Sequence, residues 1–318
     1  MKPADLAPAP RPTFYFVGVT TSASSIVKVF PRWVESLGLG RVDLRGVDCR
    51  IHDEPSEYRR VVSFIKSDPL SIGGLVTTHK IDLLAACRDL FEDLDPYAEL
   101  LGEASCISKD HGRLRASAKD PITSGMALDA FLPRDHWIRT GAELCVLGAG
   151  GSSLALTTHI LRDRPPSERP SRIRITNRSA GRLSQMRRIH ERLGSGIPVD
   201  YVLAPDCRVN DAVVSGLKPG SLVANATGLG KDAPGSPLSD AARFPEGGIA
   251  WDFNYRGDLV FLKQAEAQSR ARGIEVEDGW IYFIHGWTRV MAEVFHTDIP
   301  SSGPGFERLC AIAAEARR

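Results

Sequence analysis

At 318 residues the chain is long enough for two domains with sizeable cores. Its 40 basic and 39 acidic residues leave a formal charge of +1, which offers no field for gripping nucleic acid or an anionic membrane, so a small molecule is the expected partner. No apolar run reaches the roughly 20 residues that cross a bilayer, and the opening MKPADLAPAPRP lacks an apolar signal core, so a cytoplasmic protein is expected.

Residues 1–12, rich in Pro and Ala, read as a flexible leader. From Thr13 the pattern alternates. TFYFVGV reads as strand, about Ser24 to Leu37 as helix, RVDLRGVDC as strand and SEYRRVVSFIK as helix. Gly74 to Thr77 then reads as strand, with Ile81, Leu84, Ala85 and Leu90 at helical spacing after it, which places Lys80 at the carboxyl end of a strand. In an open α/β sheet that edge faces the ligand crevice. GEASCIS and GRLRASA, joined by the turn KDHG, read as a hairpin added to the same sheet.

A helix around DPITSGMALDAFLP leads through RDHWIRTGA to a second unit. AELCVLGAGGSSLALTTHILRD is a buried strand, a glycine-rich turn and a helix, and SRIRITNRSAGRLSQMRRIHERLG is a second strand and helix. Together they make a βαβ unit of the dinucleotide-binding kind. VDYVLA, SLVANATGLG and GGIAWDFNY supply further strands, and LVFLKQAEAQSRARG and WIYFIHGWTRVMAEVF further helices. The fold class is therefore α/β with parallel sheets.

Six cysteines (Cys49, Cys87, Cys106, Cys145, Cys207, Cys310) form no Cys-x-x-Cys pair, and the eight histidines form no ligand-spaced cluster. Reduced thiols and no metal are expected. Gly148, Gly150, Gly151 and Ser152 stand at the strand-to-helix turn, where absent β-carbons and helix amino-terminal N–H groups suit a pyrophosphate. Ser153 takes the place of the usual third glycine or alanine. At the end of the next strand, Asn177, Arg178, Ser179 and Arg182 replace the acidic residue that accepts from an NAD ribose, so a 2′-phosphate and NADP are expected. Thr21, Ser22, Ser24 and Ser25, between the first strand and its helix, suit a carboxylate, and Ser24 or Ser25 also suits an N-cap. Lys80 with Asp120 would relay the proton that moves with a hydride, while Asp120 before Pro121 also suits a turn or cap. His79 is expected to point to the face opposite Lys80.

In this order the pieces resemble the shikimate dehydrogenase family, with its quinate/shikimate-dehydrogenase-like branches, from about Phe14 to Phe295. SAS at Ser22 to Ser24 is similar to the paired serines holding the substrate carboxylate, VTTHK to the segment ending in the catalytic lysine, and AKD to the segment ending in the catalytic aspartate. GAGGSS, TNRS and NATGLG resemble the phosphate loop, the 2′-phosphate clamp and the nicotinamide-side loop, and WDFNY and EDGWIYFIHGW resemble the segments that close on substrate and nicotinamide.

The resemblance implies Lys80 and Asp120 as the catalytic pair, with Ser22, Ser24, Thr77, Leu75, Cys106, Tyr255 and His285 around the substrate and Thr227 and Gly279 beside the cofactor. It implies an N-terminal α/β substrate domain over 13–125, completed by helices in 279–318, and a Rossmann-type NADP-binding domain over 126–278, with the active cleft between them. The departures lie at the ring-hydroxyl end of the substrate, where Leu75, Cys106 and Ala118 stand in place of asparagines and His285 or Gly286 in place of a glutamine. VTTHK is one residue shorter than the family segment, and DPITSG about two longer.

The expected function is NADP-dependent interconversion of a ring ketone and alcohol on a shikimate-like cyclic hydroxy acid other than shikimate, in secondary metabolism, by a monomer or homodimer. Two rivals are a metabolite sensor that has lost turnover and a reductase of an aminated cyclitol or folate-type carrier. Retained Lys80 and Asp120 count against the sensor.

Overall fold

The computed structural model describes residues 1–231 and 233–317, so the final residue of the 279–318 segment lies outside the described residues. The chain forms two compact units, Met1–Lys119 with Ile284–Arg318, and Asp120–Phe283.

The first unit begins β1 (Thr13–Gly18), α1 (Ile26–Ser36), β2 (Asp43–Asp48), α2 (Pro55–Ser67), β3 (Ser71–Val76) and α3 (Lys80–Cys87). It continues β4 (Asp93–Leu94), α4 (Pro96–Leu101), β5 (Cys106–Asp110) and β6 (Arg113–Ser117). These strands make a six-stranded sheet in the order β2-β1-β3-β5-β6-β4. β1 pairs in parallel with β2 and β3, while β5 and β6 form the expected antiparallel hairpin. Buried β-branched and aromatic residues explain the sheet: every residue of β1 is buried, as suits a strand covered on both faces.

Residues 1–12 are packed against this unit, a correction to the flexible-leader reading. The Asp48 N–H donates to the Met1 carbonyl at 2.8 Å, Pro3 and Ala9 are buried, and the Ala9 N–H donates to Asp68 Oδ2 at 3.3 Å. The leader has no β-branched or aromatic residue, but its backbone groups find partners on β2 and at the end of α2.

The second unit contains α5 (Asp120–Phe131), α6 (His136–Thr140), β7 (Leu144–Leu147), α7 (Gly151–Thr158), β8 (Ile173–Asn177), α8 (Ala180–Leu193) and β9 (Val199–Leu203). It continues α9 (Cys207–Ser215), β10 (Leu222–Asn225), β11 (Ile249–Asp252), α10 (Val260–Arg272) and β12 (Glu275–Glu277). All its strands pair in parallel, in the order β12-β11-β10-β7-β8-β9. This is the doubly wound dinucleotide-binding order, and it reverses between β7 and β10.

α11 (Trp280–Val294) runs across the boundary, and α12 (Gly303–Arg317) ends the first unit. Within that unit, Trp287 packs edge-on against Phe16 at 4.9 Å between ring centres and lies 6.1 Å from Phe14. The Trp33 indole N–H of α1 donates to the Leu309 carbonyl of α12 at 2.9 Å. Among the described residues no helix is long and apolar enough to cross a membrane.

Candidate active site

The carboxyl edge of the first sheet carries Thr77 and the 21–25 turn, among the expected substrate residues of that unit. A β-carbon on Gly18 would lie 3.1 Å from Thr77 Cγ2 and 3.2 Å from Thr21 Cγ2, so glycine at the end of β1 lets the β3 exit and the 21–25 turn close over it. Thr21 fixes that turn, its N–H and hydroxyl both donating to Asp48 Oδ1 at 2.8 and 2.7 Å. Burial pushes the Asp48 carboxyl up, but the two Thr21 donors and the amino terminus hold it below the usual range, so the anchor is ionised. Ser22 is exposed and Ser24 half-buried on the turn. Ser25 is the N-cap of α1 by position, yet its side chain makes no capping bond.

Lys80 is not on a strand end but is the first residue of α3, a correction with a visible cause. β3 stops at Val76, and Thr78 turns the chain with φ of +59°, in the left-handed region that β-branched residues rarely occupy. The Lys80 side chain is half-buried. His79, expected on the opposite face of a strand, is the N-cap of α3 and is buried, its Nδ1 at 3.2 Å from the Tyr58 hydroxyl. Burial pushes its pKa down, so it stands as a neutral packing group beneath the turn.

Leu75, Cys106 and Ser117 are in register across β3, β5 and β6, so their side chains share one face of the sheet. Leu75 retains 8% exposure while Cys106 retains none. Burial drives the Cys106 thiol far up, so it offers neither a thiolate nor an accessible donor. His285 is also enclosed, stacked on Phe306 of α12 at 4.5 Å, and burial with the nearby Arg289 charge pulls it down to about 4. Of the residues expected around the ring, Cys106 and His285 are therefore packed within the first unit.

A cavity of about 810 Å³ in the first unit lies at the opposite sheet edge, among Leu39, Val42, Lys66, Lys109 and Phe295. The Lys109 ammonium there donates to the Ile65 and Asp68 carbonyls at 2.9 and 2.7 Å, closing the end of α2. Lys109 thus serves a helix carboxyl terminus, and Lys66 is paired with the Leu90 carbonyl and Glu92.

In the second unit the residues expected to hold a cofactor lie on the elements around the point where strand order reverses. Gly148 leaves β7 with φ of +107°, and a β-carbon there would meet the Ala226 carbonyl oxygen at 2.8 Å, so the glycine turn is seated against the 225–229 loop. Gly150 is the N-cap of α7 and faces open space, Gly151 opens the helix, Ser152 is half-buried beside it, and Ser153 is fully buried. Arg178 and Arg182 are exposed at the end of β8, where Ser179 caps α8 by accepting from the Arg182 N–H and Asn177 reaches the Ser179 carbonyl at 3.4 Å. No metal-binding group of His, Cys, Asp or Glu occurs among the described residues.

Sequence reading missed the carboxylate that organises this end. Asp252, fully buried, accepts from Asn225 Nδ2 at 3.0 Å and from the Asn254 N–H at 2.8 Å. Asn225 Oδ1 in turn accepts from the N–H and hydroxyl of Thr227 at 3.1 and 2.7 Å, and Asn254 Nδ2 donates to the Leu229 carbonyl at 3.1 Å. Burial raises the Asp252 carboxyl to about 6, only partly opposed by its asparagine donors. The same cluster receives Gly279, whose N–H donates to the Asn254 carbonyl at 3.0 Å and where a β-carbon would meet the Phe253 carbonyl oxygen at 2.1 Å. Tyr255 is half-buried, its ring against Trp280 and Phe283 at 5.1 and 4.8 Å. The motifs NATG and WDFN carried these residues, but their pairing across strands is not a sequence pattern.

No protein-family model matches the chain. A curated relative, the shikimate dehydrogenase (NADP(+)) of Streptococcus gordonii, is 27% identical over 190 residues, 59% of this chain. The match spans 60% of that relative's length. Among solved structures, shikimate dehydrogenase from Aquifex aeolicus superposes with a TM-score of 0.72 at 16% identity, covering 98% of this chain and 100% of that one. The chain is shikimate dehydrogenase-like in sequence and in fold. Shikimate 5-dehydrogenase from Thermus thermophilus, in complex with NADP(H) and shikimate, gives 0.68 at 20% identity over 96% and 99% of the two chains. Quinate dehydrogenase from Corynebacterium glutamicum, in complex with NAD, gives 0.70 at 19% over 96% and 99%. The shikimate dehydrogenase-like fold thus extends over both units, including the doubly wound sheet that carries Gly148 and Arg178.

Proposed function

We propose that the chain is an NADP-dependent oxidoreductase that interconverts a ring ketone and an alcohol on a cyclic hydroxy acid related to shikimate but less hydroxylated. The reading is supported by Lys80 at the first turn of α3, directly after a β3 exit at Thr77 that meets the 21–25 turn over Gly18, in a shikimate dehydrogenase-like fold.

Bound NADPH would supply the hydride. Gly150, Gly151 and Ser152 suit its pyrophosphate, with backbone open to approach and a helix amino terminus behind it. Arg178 and Arg182, exposed where Asn177 stands in place of a carboxylate, suit the 2′-phosphate, since guanidinium can bond two phosphate oxygens. Thr227 and Gly279, held by the Asp252 cluster, suit the nicotinamide side.

Ser22 and Ser24 hold the substrate carboxylate, and Thr77 lines the substrate beside them; both roles rest on the sequence resemblance. The Lys80 ammonium stabilises the oxygen of the reacting carbon and delivers a proton to it, with Asp120 as its acid–base partner; both roles rest on the sequence resemblance. Leu75 presents hydrocarbon where a ring hydroxyl would need a partner, which disfavours shikimate because a buried hydroxyl without a partner is costly.

NADPH oxidation over a panel of cyclic keto acids, with 3-dehydroshikimate included, tests the reading. Turnover of a less hydroxylated acid is expected, with kcat in Lys80→Ala down by roughly 10²-fold and NADPH affinity unchanged. Efficient use of 3-dehydroshikimate overturns the substrate assignment, an unaltered Lys80→Ala rate removes Lys80, and ligand binding without any turnover leaves a sensor. NADH bound as tightly as NADPH would remove the roles of Arg178 and Arg182.

A further inference from the structure

The strand end that leads into Asp120 is held at nearly every residue. Arg115 Nε lies 3.2 Å from Asp93 Oδ2 and 3.7 Å from Glu293 Oε1. The Ser117 hydroxyl donates to Glu293 Oε1 at 2.8 Å, the Ala118 N–H to Asp95 Oδ1 at 3.2 Å, and the Lys119 N–H to Ser105 Oγ at 2.7 Å. The Lys119 ammonium, 13% exposed, lies 2.6 Å from Glu293 Oε2 and 3.9 Å from Asp95 Oδ2. Asp95 is itself tied down, capping α4 by accepting from the Ala98 N–H at 2.7 Å. Burial pushes the Glu293 carboxyl up, but Lys119, Ser117 and Arg115 more than offset this and keep it ionised.

An ion pair as far withdrawn from solvent as this one, 13% and 19% exposed, is a poor device for stability, because desolvation consumes much of its Coulombic gain. What it adds is direction: two charged groups with fixed hydrogen-bond geometry admit one register where apolar contacts admit several. Here that register is set one residue before Asp120, past the end of β6 and two residues after the row that carries Leu75, Cys106 and Ser117.

We infer that Lys119 and Glu293 are positioning residues: their ion pair fixes the chain entering α5 and so the placement of Asp120. The inference rests on the acid–base reading of Asp120, but its structural half can be tested without turnover. Neither residue touches the reacting atoms in this account.

The test compares Lys119→Met, Glu293→Gln, Lys119→Arg and the charge-balanced double variant Lys119→Met/Glu293→Gln as full chains. Amide hydrogen exchange over Ile122 to Ser124, which needs no substrate, is expected to accelerate in both single variants and to return to the wild-type rate in Lys119→Arg. With whichever panel acid the wild type reduces, kcat should fall by about 10- to 100-fold in each single variant while KM for NADPH holds. The double variant should lose no more than either single one, since one interaction is removed. It also retains a balanced interior if a single variant does not fold. Wild-type exchange over Ile122 to Ser124 in the double variant overturns the inference, whatever the activity. Faster exchange with unchanged kcat overturns the link to catalysis. An inactive wild type falls on the proposed function instead, and the exchange rates still decide the positioning.

Discussion

Thr78 shows how a single backbone angle bears on the candidate chemistry. A non-glycine residue at φ of +59° costs on the order of 1–3 kcal/mol, and a β-branched one sits at the upper end because its γ atoms crowd the backbone. The strain is borne between the end of β3 at Val76 and the start of α3 at Lys80, where three residues must turn the chain from strand to helix. Glycine would relax the angle but enlarge the unfolded ensemble, and the second effect is smaller, roughly 0.5–1 kcal/mol. Thr78→Gly is therefore expected to stabilise the protein by about 1 kcal/mol in urea unfolding. A net loss of stability would mean that the threonine side chain contributes more by contact than its backbone costs. His79, the next residue, illustrates the limit of strand-based reasoning. Alternation predicts its direction only while the strand lasts, and β3 has already ended at Val76.

Between elements, His190 staples three pieces of the nucleotide-binding unit. Its Nε2 lies 2.9 Å from Thr157 Oγ1 of α7 and its Nδ1 2.7 Å from the Tyr201 hydroxyl of β9. Thr157 spends its own proton on the Ser153 carbonyl at 2.8 Å, so it accepts from Nε2–H, and Nδ1 accepts from a phenol that burial keeps protonated up to about 12. The imidazole is thus neutral, and burial lowers it from 6.5 to about 4. A histidine depressed in the fold contributes stability that is present above the unfolded value and is lost as pH falls from 6.5 toward 4, because the unfolded chain then binds the extra proton. Going from pH 7 to pH 5 should cost about 2 kcal/mol through this group, and His190→Gln should flatten that slope while being less stable at pH 7. Equal slopes in guanidinium titrations of the two proteins would remove His190 from the account. Elements of this kind were legible where pattern is local: the Leu-Cys-Val-Leu run of β7, the glycine turn after it and the KDHG hairpin all lie where their residues place them. The short β4, α4 and β12 carry too few residues for a period to show, and β12 has no buried residue at all. The site divides the same way, since Lys80 and Gly148 are marked by local motif whereas Lys119 with Glu293, and Asn225 with Asp252, meet across long stretches of chain.

At the scale of the whole chain, the two units differ in how their cores are closed. The second is continuous in sequence, and one of its clusters, built on Val223, Ala250, Phe244 and Phe261, draws only on residues between Cys145 and Val276. The first is split, and its sheet depends on the last segment of the chain. Phe14 is covered by Trp287 and Phe295, Phe16 by Trp287, and Trp33 of α1 hydrogen-bonds to Leu309. Fully burying side chains of this size contributes about 1.5–3 kcal/mol each, so a chain ending at Phe283 would expose several at once and retain no comparable cover. A fragment spanning Asp120 to Phe283 is accordingly expected to fold with a cooperative thermal transition and to gain stability on adding NADPH, as any ligand selective for the folded form confers. A fragment ending at Lys119 should expose apolar surface and bind a hydrophobic dye, and adding residues 284–318 as a separate peptide should quench that signal. Folding of Met1 to Lys119 into a dye-silent, cooperative unit would show instead that its sheet is stable without the returning helices, and that the long-range aromatic contacts only add to a core already complete.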